Sequence, residues 1–190
     1  MDFITGFPRS TKQNDVIMVV VEKLSKSAHF VPIKSTCKAT DIANIFMKEI
    51  FRLHGMPREI VSDRDTKFSS RFWKSLMVGF ETKLLLCTSY CPQTDGQIER
   101  VNQILEYMLR MHVMQQPKKW EDYLPLVEFA YNNGYQKFLK MSPFEALYGS
   151  QCKIPIRWSN LVDRLTIRPD ILKEMEQKMV QIQQNLKNYS

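Results

Sequence analysis

The sequence has no apolar run long enough to cross a bilayer. The longest, Val16 to Val21, holds 6 residues, against the roughly 20 a spanning helix needs. No charged region followed by a long apolar stretch opens the chain, so no secretory signal is expected, and the chain reads as soluble and intracellular. Cysteine is sparse and lacks paired spacing. Cys87 and Cys91 form a C-x3-C with no second pair, while Cys37 and Cys152 stand apart. The three histidines, His29, His54 and His112, are equally dispersed. No zinc site is expected from this pattern, and the cysteines read as free thiols. There is no polybasic tail, internal repeat or low-complexity segment.

What is present suits one folded domain. The chain is 44% hydrophobic and 11% aromatic over 190 residues, enough to bury a core. Its formal net charge is +7. The excess is spread as +2 in residues 1–50, +2 in 51–100, none in 101–150 and +3 in 151–190. A mild, distributed positive balance suits contact with a polyanion without specifying one.

Apolar patterning predicts a strand over Met1 to Phe7, ended by Gly6 and Pro8. Val16 to Val21 is apolar on both faces, as a central buried strand is. His29 to Ile33 is a third strand, and Pro32 assigns it to a sheet edge. Thr40 is expected to cap a helix with Ile42, Ile45, Phe46, Ile50 and Leu53 on its buried face, stopped by Gly55 and Pro57. Glu59 to Ser62 is a short strand ending at Asp63. Ser69 or Ser70 opens a helix that buries Phe72, Trp73, Leu76 and Met77, and Leu84 to Leu86 forms a fifth strand. A polar loop from Thr88 to Gly96 then leads into a long helix, with Thr94-Asp95-Gly96-Gln97 in capping-box form, running to about Met114. Another helix starts near Lys118. Ser142-Pro143-Phe144-Glu145 caps a short one that Gly149 closes. Three strands with short turns are antiparallel, and helical crossovers add parallel strands. The expected fold is α/β, a mixed five-stranded sheet with helices on both faces over residues 1–150. Residues 151–190 form a linker and a C-terminal helix, with Leu172, Met175, Met179, Ile182 and Leu186 on one stripe.

Asp63 and Glu99 have 35 residues between them. Twenty acidic residues make many pairs, and Glu59 and Asp95 share this separation, so spacing alone decides nothing. Context adds more. Asp63 stands at the end of a buried strand, where functional groups are presented. Glu99 lies on the polar face of the long helix with Asn102, Gln103, Glu106 and Arg110. It is expected close to the helix N-terminus, where the dipole favours its ionised form. If the first strand neighbours the one ending at Asp63, Asp2 joins them at one sheet edge. Three converging carboxylates repel unless cations are bound, and hard oxygen ligands suit Mg²⁺ or Mn²⁺.

Four segments carry a specific resemblance, in order along the chain. They are Phe51-Arg52-Leu53-His54-Gly55-Met56-Pro57, Ile60-Val61-Ser62-Asp63-Arg64-Asp65, Pro92 to Asn102, and Met141 to Gly149. They resemble the signature segments of integrases from Ty3/gypsy-type LTR retrotransposons, and Met1-Asp2-Phe3-Ile4 resembles that family's first catalytic strand. The resemblance implies an RNase H-like fold within a Pol polyprotein and a D,D-35-E site formed by Asp2, Asp63 and Glu99. By this resemblance these residues would be both the catalytic group and the ligands of two Mg²⁺ or Mn²⁺ ions. It implies DNA 3′-end processing and strand transfer, with element ends and target DNA as partners, homo-oligomers, and the nucleus as location. In this reading the loop from Tyr90 to Gly96 lies over the site, and Tyr90, Gln93, Gln97, Arg100 and Gln103 contact DNA.

Some positions depart from the family pattern. Cys91 stands where His is common before Pro92. Gly134 to Lys140 replaces a His-Ser-Ser-like stretch, and Glu22 stands where Asp is frequent. None removes a metal ligand. A second reading is a catalytically inactive remnant that only binds nucleic acid or dimerises.

Overall fold

A computed structural model describes residues 1–86, 92–113 and 117–152, apart from the side chains of 92–97 and 111–113. The expected stripe of residues 172–186, and Tyr90, lie outside the described residues.

Strand β1 covers Asp2–Ile4, β2 Val16–Val21 and β3 Ala28–Ile33. They pair antiparallel in the order β1-β2-β3, with Asp2 opposite Val19 and Ile17 opposite Pro32. Pro32 therefore sits on an edge strand, where its missing N–H costs no ladder bond. β1 is shorter than the apolar stretch suggested, because Gly6 turns the chain with φ +91°. Strands β4 (Glu59–Ser62) and β5 (Lys83–Leu86) pair parallel, with Ser62 opposite Leu86. The five expected strands are thus present, in a three-stranded and a two-stranded sheet. One backbone bond links them: the Met1 amino group donates to the Val61 carbonyl at 2.6 Å.

The helices are α1 (Ala39–Phe46), α2 (Arg52–His54), α3 (Thr66–Ser69), α4 (Arg71–Gly79), α5 (Pro92–Val113), α6 (Trp120–Asn133) and α7 (Pro143–Tyr148). A π-helical turn, Met47–Phe51, joins α1 to α2, and a 3₁₀ turn, Pro117–Lys119, precedes α6. Because strand side chains alternate, β2 feeds two cores. Ile17 and Val19 pack with Val101, Leu105, Met108 and Leu109 of α5 and with Trp120, Leu124 and Val127 of α6. Val16 and Met18 pack with Ile42 and Phe46 of α1 and with Trp73 and Met77 of α4. Helices on both faces explain why β2 is apolar throughout.

Several local expectations change. α1 begins one residue before Thr40. Its entry is held instead by the Lys38 backbone N–H donating to Asp41 Oδ2 at 2.8 Å. The π turn shifts the helical phase, and Leu53 ends up 53% exposed. Phe72 is likewise exposed on α4. The largest shift concerns α5, which starts at Pro92 rather than after Thr94, so residues 92–96 are helical and not a loop. Proline at the first helical position lacks only an N–H the helix does not use. Glu99 is then the eighth residue of α5, beyond the first turn where the helix dipole acts. The Ser70 and Ser142 caps form as expected, accepting from Trp73 N at 3.2 Å and Glu145 N at 3.1 Å. Gly149 closes α7 with φ +72°.

Candidate active site

The candidate site is built at the junction of β1, β4 and α5. Asp2 is half-buried, and both of its oxygens are engaged. Oδ1 accepts from the Phe3 N–H at 2.8 Å, and Oδ2 accepts from Asn102 Nδ2 at 2.7 Å. Asn102 is three residues after Glu99, almost one helical turn away.

Asp63 follows β4 directly. Its Oδ1 accepts from the Asp65 N–H at 3.2 Å, while Asp65 in turn caps α3 by accepting from Lys67 N at 2.8 Å. The turn is thus fixed from both sides by carboxylates bonding to backbone N–H groups two residues on. Surrounding protein partly desolvates the Asp63 carboxyl and raises its pKa above the ordinary aspartate value. The Asp65 N–H works against this shift, and so does the chain's amino terminus. The negative charges of Asp2 and Asp65 add to it. Asp2 and Asp63 are therefore close enough to repel, although 60 residues separate them.

Glu99, Arg100 and Gln103 are exposed on α5. The fold brings Asp2 and Asp63 together. Among the described residues no group of three His, Cys, Asp or Glu side chains is placed to hold an ion together, and Glu99 stands exposed on α5 three residues before the Asn102 that bonds Asp2. The chemistry of the two carboxylates still fits a hard divalent cation. Their oxygens are unshared by any cationic side chain in the salt bridges of the described residues. Two polar atoms in the same elements, Ser62 Oγ and Asn102 Oδ1, are buried without a hydrogen-bond partner. A repelling acidic pair with orphaned oxygens nearby is an environment that a cation relieves. Gln93 and Gln97 fall within α5, in the stretch whose side chains are not described.

Asn102 is the contributor that sequence reasoning passed over. It shared the polar face with Glu99 but had no assigned role. Its spacing of three from Glu99 was the available signal, because it places both residues over the same region of a helix.

The fold is that of retroviral integrase catalytic cores. The HTLV-2 integrase catalytic core domain, solved in complex with magnesium in a trimeric form, matches with a TM-score of 0.59 at 15% identity, covering 76% of this chain and 93% of that one. The simian T-cell lymphotropic virus intasome, solved with PP2A regulatory subunit B56 gamma, matches with a TM-score of 0.65 at 14% identity, over 80% of this chain and 55% of that chain. The chain's homologues are Tf2 polyproteins, which are of the Ty3/gypsy type, and the match runs over its whole length. The chain is 33% identical over all 190 residues to the Tf2-3 and Tf2-4 transposon polyproteins of Schizosaccharomyces pombe. It spans 14% of the length of these relatives. No family model matches the chain.

Proposed function

We propose that this chain is an integrase catalytic core that trims DNA 3′ ends and transfers the strands to target DNA. Homology to Tf2 polyproteins along the whole chain carries this reading, and the charge of Asp2 acting on Asp63 supports it. Asp2, Asp63 and Glu99 would hold the metal ions, Mg²⁺ or Mn²⁺. When bound, these ions supply a lowered pKa for the attacking water or 3′-hydroxyl and charge stabilisation for the leaving oxygen. In this reading the two ladders act as one five-stranded sheet that presents Asp2 and Asp63 side by side.

The protein's own contribution is position. Asn102 fixes the Asp2 carboxylate through its 2.7 Å bond. Asp65 fixes Asp63 through its backbone N–H. Glu99 is exposed on α5, the helix whose Asn102 bonds Asp2. Arg100 and Gln103, on the same helix, meet the phosphates, and Tyr90, Gln93 and Gln97 complete the DNA contact. Dimers or higher oligomers that hold two DNA ends, acting in the nucleus, belong to the same proposal. So does the division into a core over residues 1–150 and a linker with a C-terminal helix over 151–190.

The test is Mn²⁺-dependent strand transfer or disintegration on a branched DNA substrate. Glu99→Gln is expected to abolish product while leaving the fold intact, and equal activity in both proteins removes Glu99 from the site. The three-residue β1 that carries Asp2 favours a second reading, a DNA-binding remnant without catalysis. Calorimetric titration separates the two. Mn²⁺ binding that disappears in Asp63→Asn supports the enzyme, and absent binding in the wild-type chain supports the remnant. No helix among the described residues is long and apolar enough to cross a membrane.

A further inference from the structure

His29 and His54 lie 25 residues apart in a sequence whose histidines look scattered. His29 stands on the edge strand β3. His54 is the last residue of α2, which Gly55 ends by taking φ +74°. The fold brings the two rings together, with Nε2 to Nε2 at 2.8 Å, centroids 5.0 Å apart and an interplanar angle of 53°. At that distance one nitrogen carries a hydrogen and the other offers a lone pair, because two donors cannot face each other. Burial lowers the pKa of His54 below the ordinary histidine value. The neighbouring His29 lowers it further, and Glu22 opposes both. The shift favours the neutral form of the ring.

The other nitrogen of His29 completes the pattern. Nδ1 lies 3.1 Å from Glu128 Oε1, and Glu128 Oε2 accepts from the Phe30 N–H at 2.8 Å. Glu128 is thus held by the backbone of β3 while it holds the ring. A carboxylate on Nδ1–H fixes the tautomer whose Nε2 lone pair is free, which is how metal-binding imidazoles are oriented. Here that lone pair is directed at His54.

We propose that His29 Nε2 and His54 Nε2 form a second cation site, separate from the carboxylates, for a transition metal such as Cu²⁺, Zn²⁺ or Ni²⁺, with Glu128 as its positioning carboxylate. Imidazole pairs select such ions over Mg²⁺ and Mn²⁺. A tetrahedral ion with bonds of about 2.0–2.1 Å needs its two nitrogens roughly 3.3 Å apart. The pair therefore opens by roughly half an ångström, a movement the exposed His54 ring can make. Binding takes the Nε2 lone pair of each ring, so the His54 hydrogen moves from Nε2 to Nδ1. Among the described residues no third His, Cys, Asp or Glu is placed to share an ion with the two Nε2 atoms. Water fills the remaining positions, which makes the affinity moderate and strongest for Cu²⁺. The ion ties the end of α2 to the edge of β3 and so gives His54, within the Leu53-His54-Gly55 segment, a role that the carboxylate site does not.

The experiment is Cu²⁺ titration of the full chain, followed by calorimetry and by electron paramagnetic resonance, which counts nitrogen ligands. One Cu²⁺ per chain with two nitrogen ligands is expected. It is retained in Asp63→Asn, weakened roughly 10-fold in Glu128→Gln, and lost in both His29→Ala and His54→Ala. His54 is exposed, so its removal leaves the fold intact, which circular dichroism verifies. Unchanged binding in His54→Ala overturns the site. So does binding that vanishes in Asp63→Asn, or one ion per two chains, which puts the metal between copies.

Discussion

Asn102 donates from Nδ2 to Asp2 Oδ2 at 2.7 Å, a bond that joins α5 to β1 across 100 residues of sequence. Asp2 has little strand around it, since β1 is three residues long, so this bond is the main constraint on its carboxylate. Asn102→Ala removes the donor while leaving the apolar face of α5 untouched. Strand-transfer turnover is expected to fall roughly 10-fold or more, the scale at which supporting groups act on metal ligands. DNA affinity should stay near wild type, and so should the thermal midpoint. Wild-type turnover in Asn102→Ala would show that Asp2 is held in some other way.

Asp63 carries an electrostatic cost in the candidate site. Its pKa is raised by desolvation first, with Asp2 and Asp65 adding to the effect. A raised carboxylate pKa means the folded protein holds its proton more tightly than the unfolded chain does. Stability from this group is therefore greatest below the ordinary aspartate value and is lost as pH rises through the folded pKa. At neutral pH Asp63→Asn is expected to stabilise the metal-free protein slightly, by about 0.5 kcal/mol for one solvent-screened repulsion. Mn²⁺ should raise the melting temperature of the wild type and leave that of the variant unmoved. Thermal denaturation with and without Mn²⁺ checks both parts, and a destabilised Asp63→Asn contradicts the repulsion.

Much of this was legible beforehand, for identifiable reasons. β2 was recognisable because a strand covered on both faces must be apolar throughout, and its side chains do divide between α5 with α6 and α1 with α4. The Ser70 and Ser142 caps were readable because they are local chemistry. The start of α5 was misread because Thr94-Asp95-Gly96-Gln97 has the form of a capping box, while Pro92 two residues earlier can open the helix equally well. The exposure of Leu53 was hidden by the π-helical turn Met47–Phe51, which adds a residue to the turn and moves the apolar stripe out of phase. Contacts between distant side chains, Asn102 with Asp2 and His29 with His54, depend on tertiary packing and leave no periodic trace. In the candidate site, the residue types and their order could be read, but the bond from Asn102 to Asp2 could not.

Glu121 is charged yet only 7% exposed. Ser10 Oγ donates to its Oε2 at 2.6 Å and Asn14 Nδ2 donates at 3.1 Å, while Lys12 Nζ lies 3.1 Å from Oε1. Burial alone would raise the pKa of Glu121, but the bonds from Ser10, Lys12 and Asn14 outweigh it and lower the value. A lowered carboxylate pKa gives stability that is present above the ordinary glutamate value and lost as pH falls through the folded one. Acid unfolding should therefore begin with the release of residues 10–14 from α6. Glu121→Ala strands the Ser10 and Asn14 donors and is expected to cost about 2–3 kcal/mol, since buried donors lose their acceptor. It should also flatten the dependence of stability on pH below about 4.5, the ordinary glutamate range. Urea denaturation at pH 7 and again in acid measures both, and an unchanged acid slope in Glu121→Ala would assign the acid sensitivity elsewhere.

The edge of β3 makes the last prediction. An exposed edge strand offers unpaired backbone groups to another chain, and α6 covers this one with side chains. The Ala28 N–H donates to Asn132 Oδ1 at 2.9 Å, and Asn132 Nδ2 donates back to the Ala28 carbonyl at 2.9 Å. One turn earlier on α6, Glu128 Oε2 takes the Phe30 N–H. The Asn132 amide thus satisfies both backbone groups of one residue, as a neighbouring strand would. Asn132→Ala leaves the N–H and the carbonyl of Ala28 without partners at a half-buried site, a cost of about 2 kcal/mol. Asn132→Asp keeps the acceptor and loses the donor, so it should fall between alanine and the wild type. The same order is expected in light scattering on warming, with alanine aggregating first, because the uncovered edge is then open to a second chain. If Asn132→Ala matches the wild type in denaturant midpoint and in scattering, the amide is not what shields β3, and Glu128 alone covers the edge.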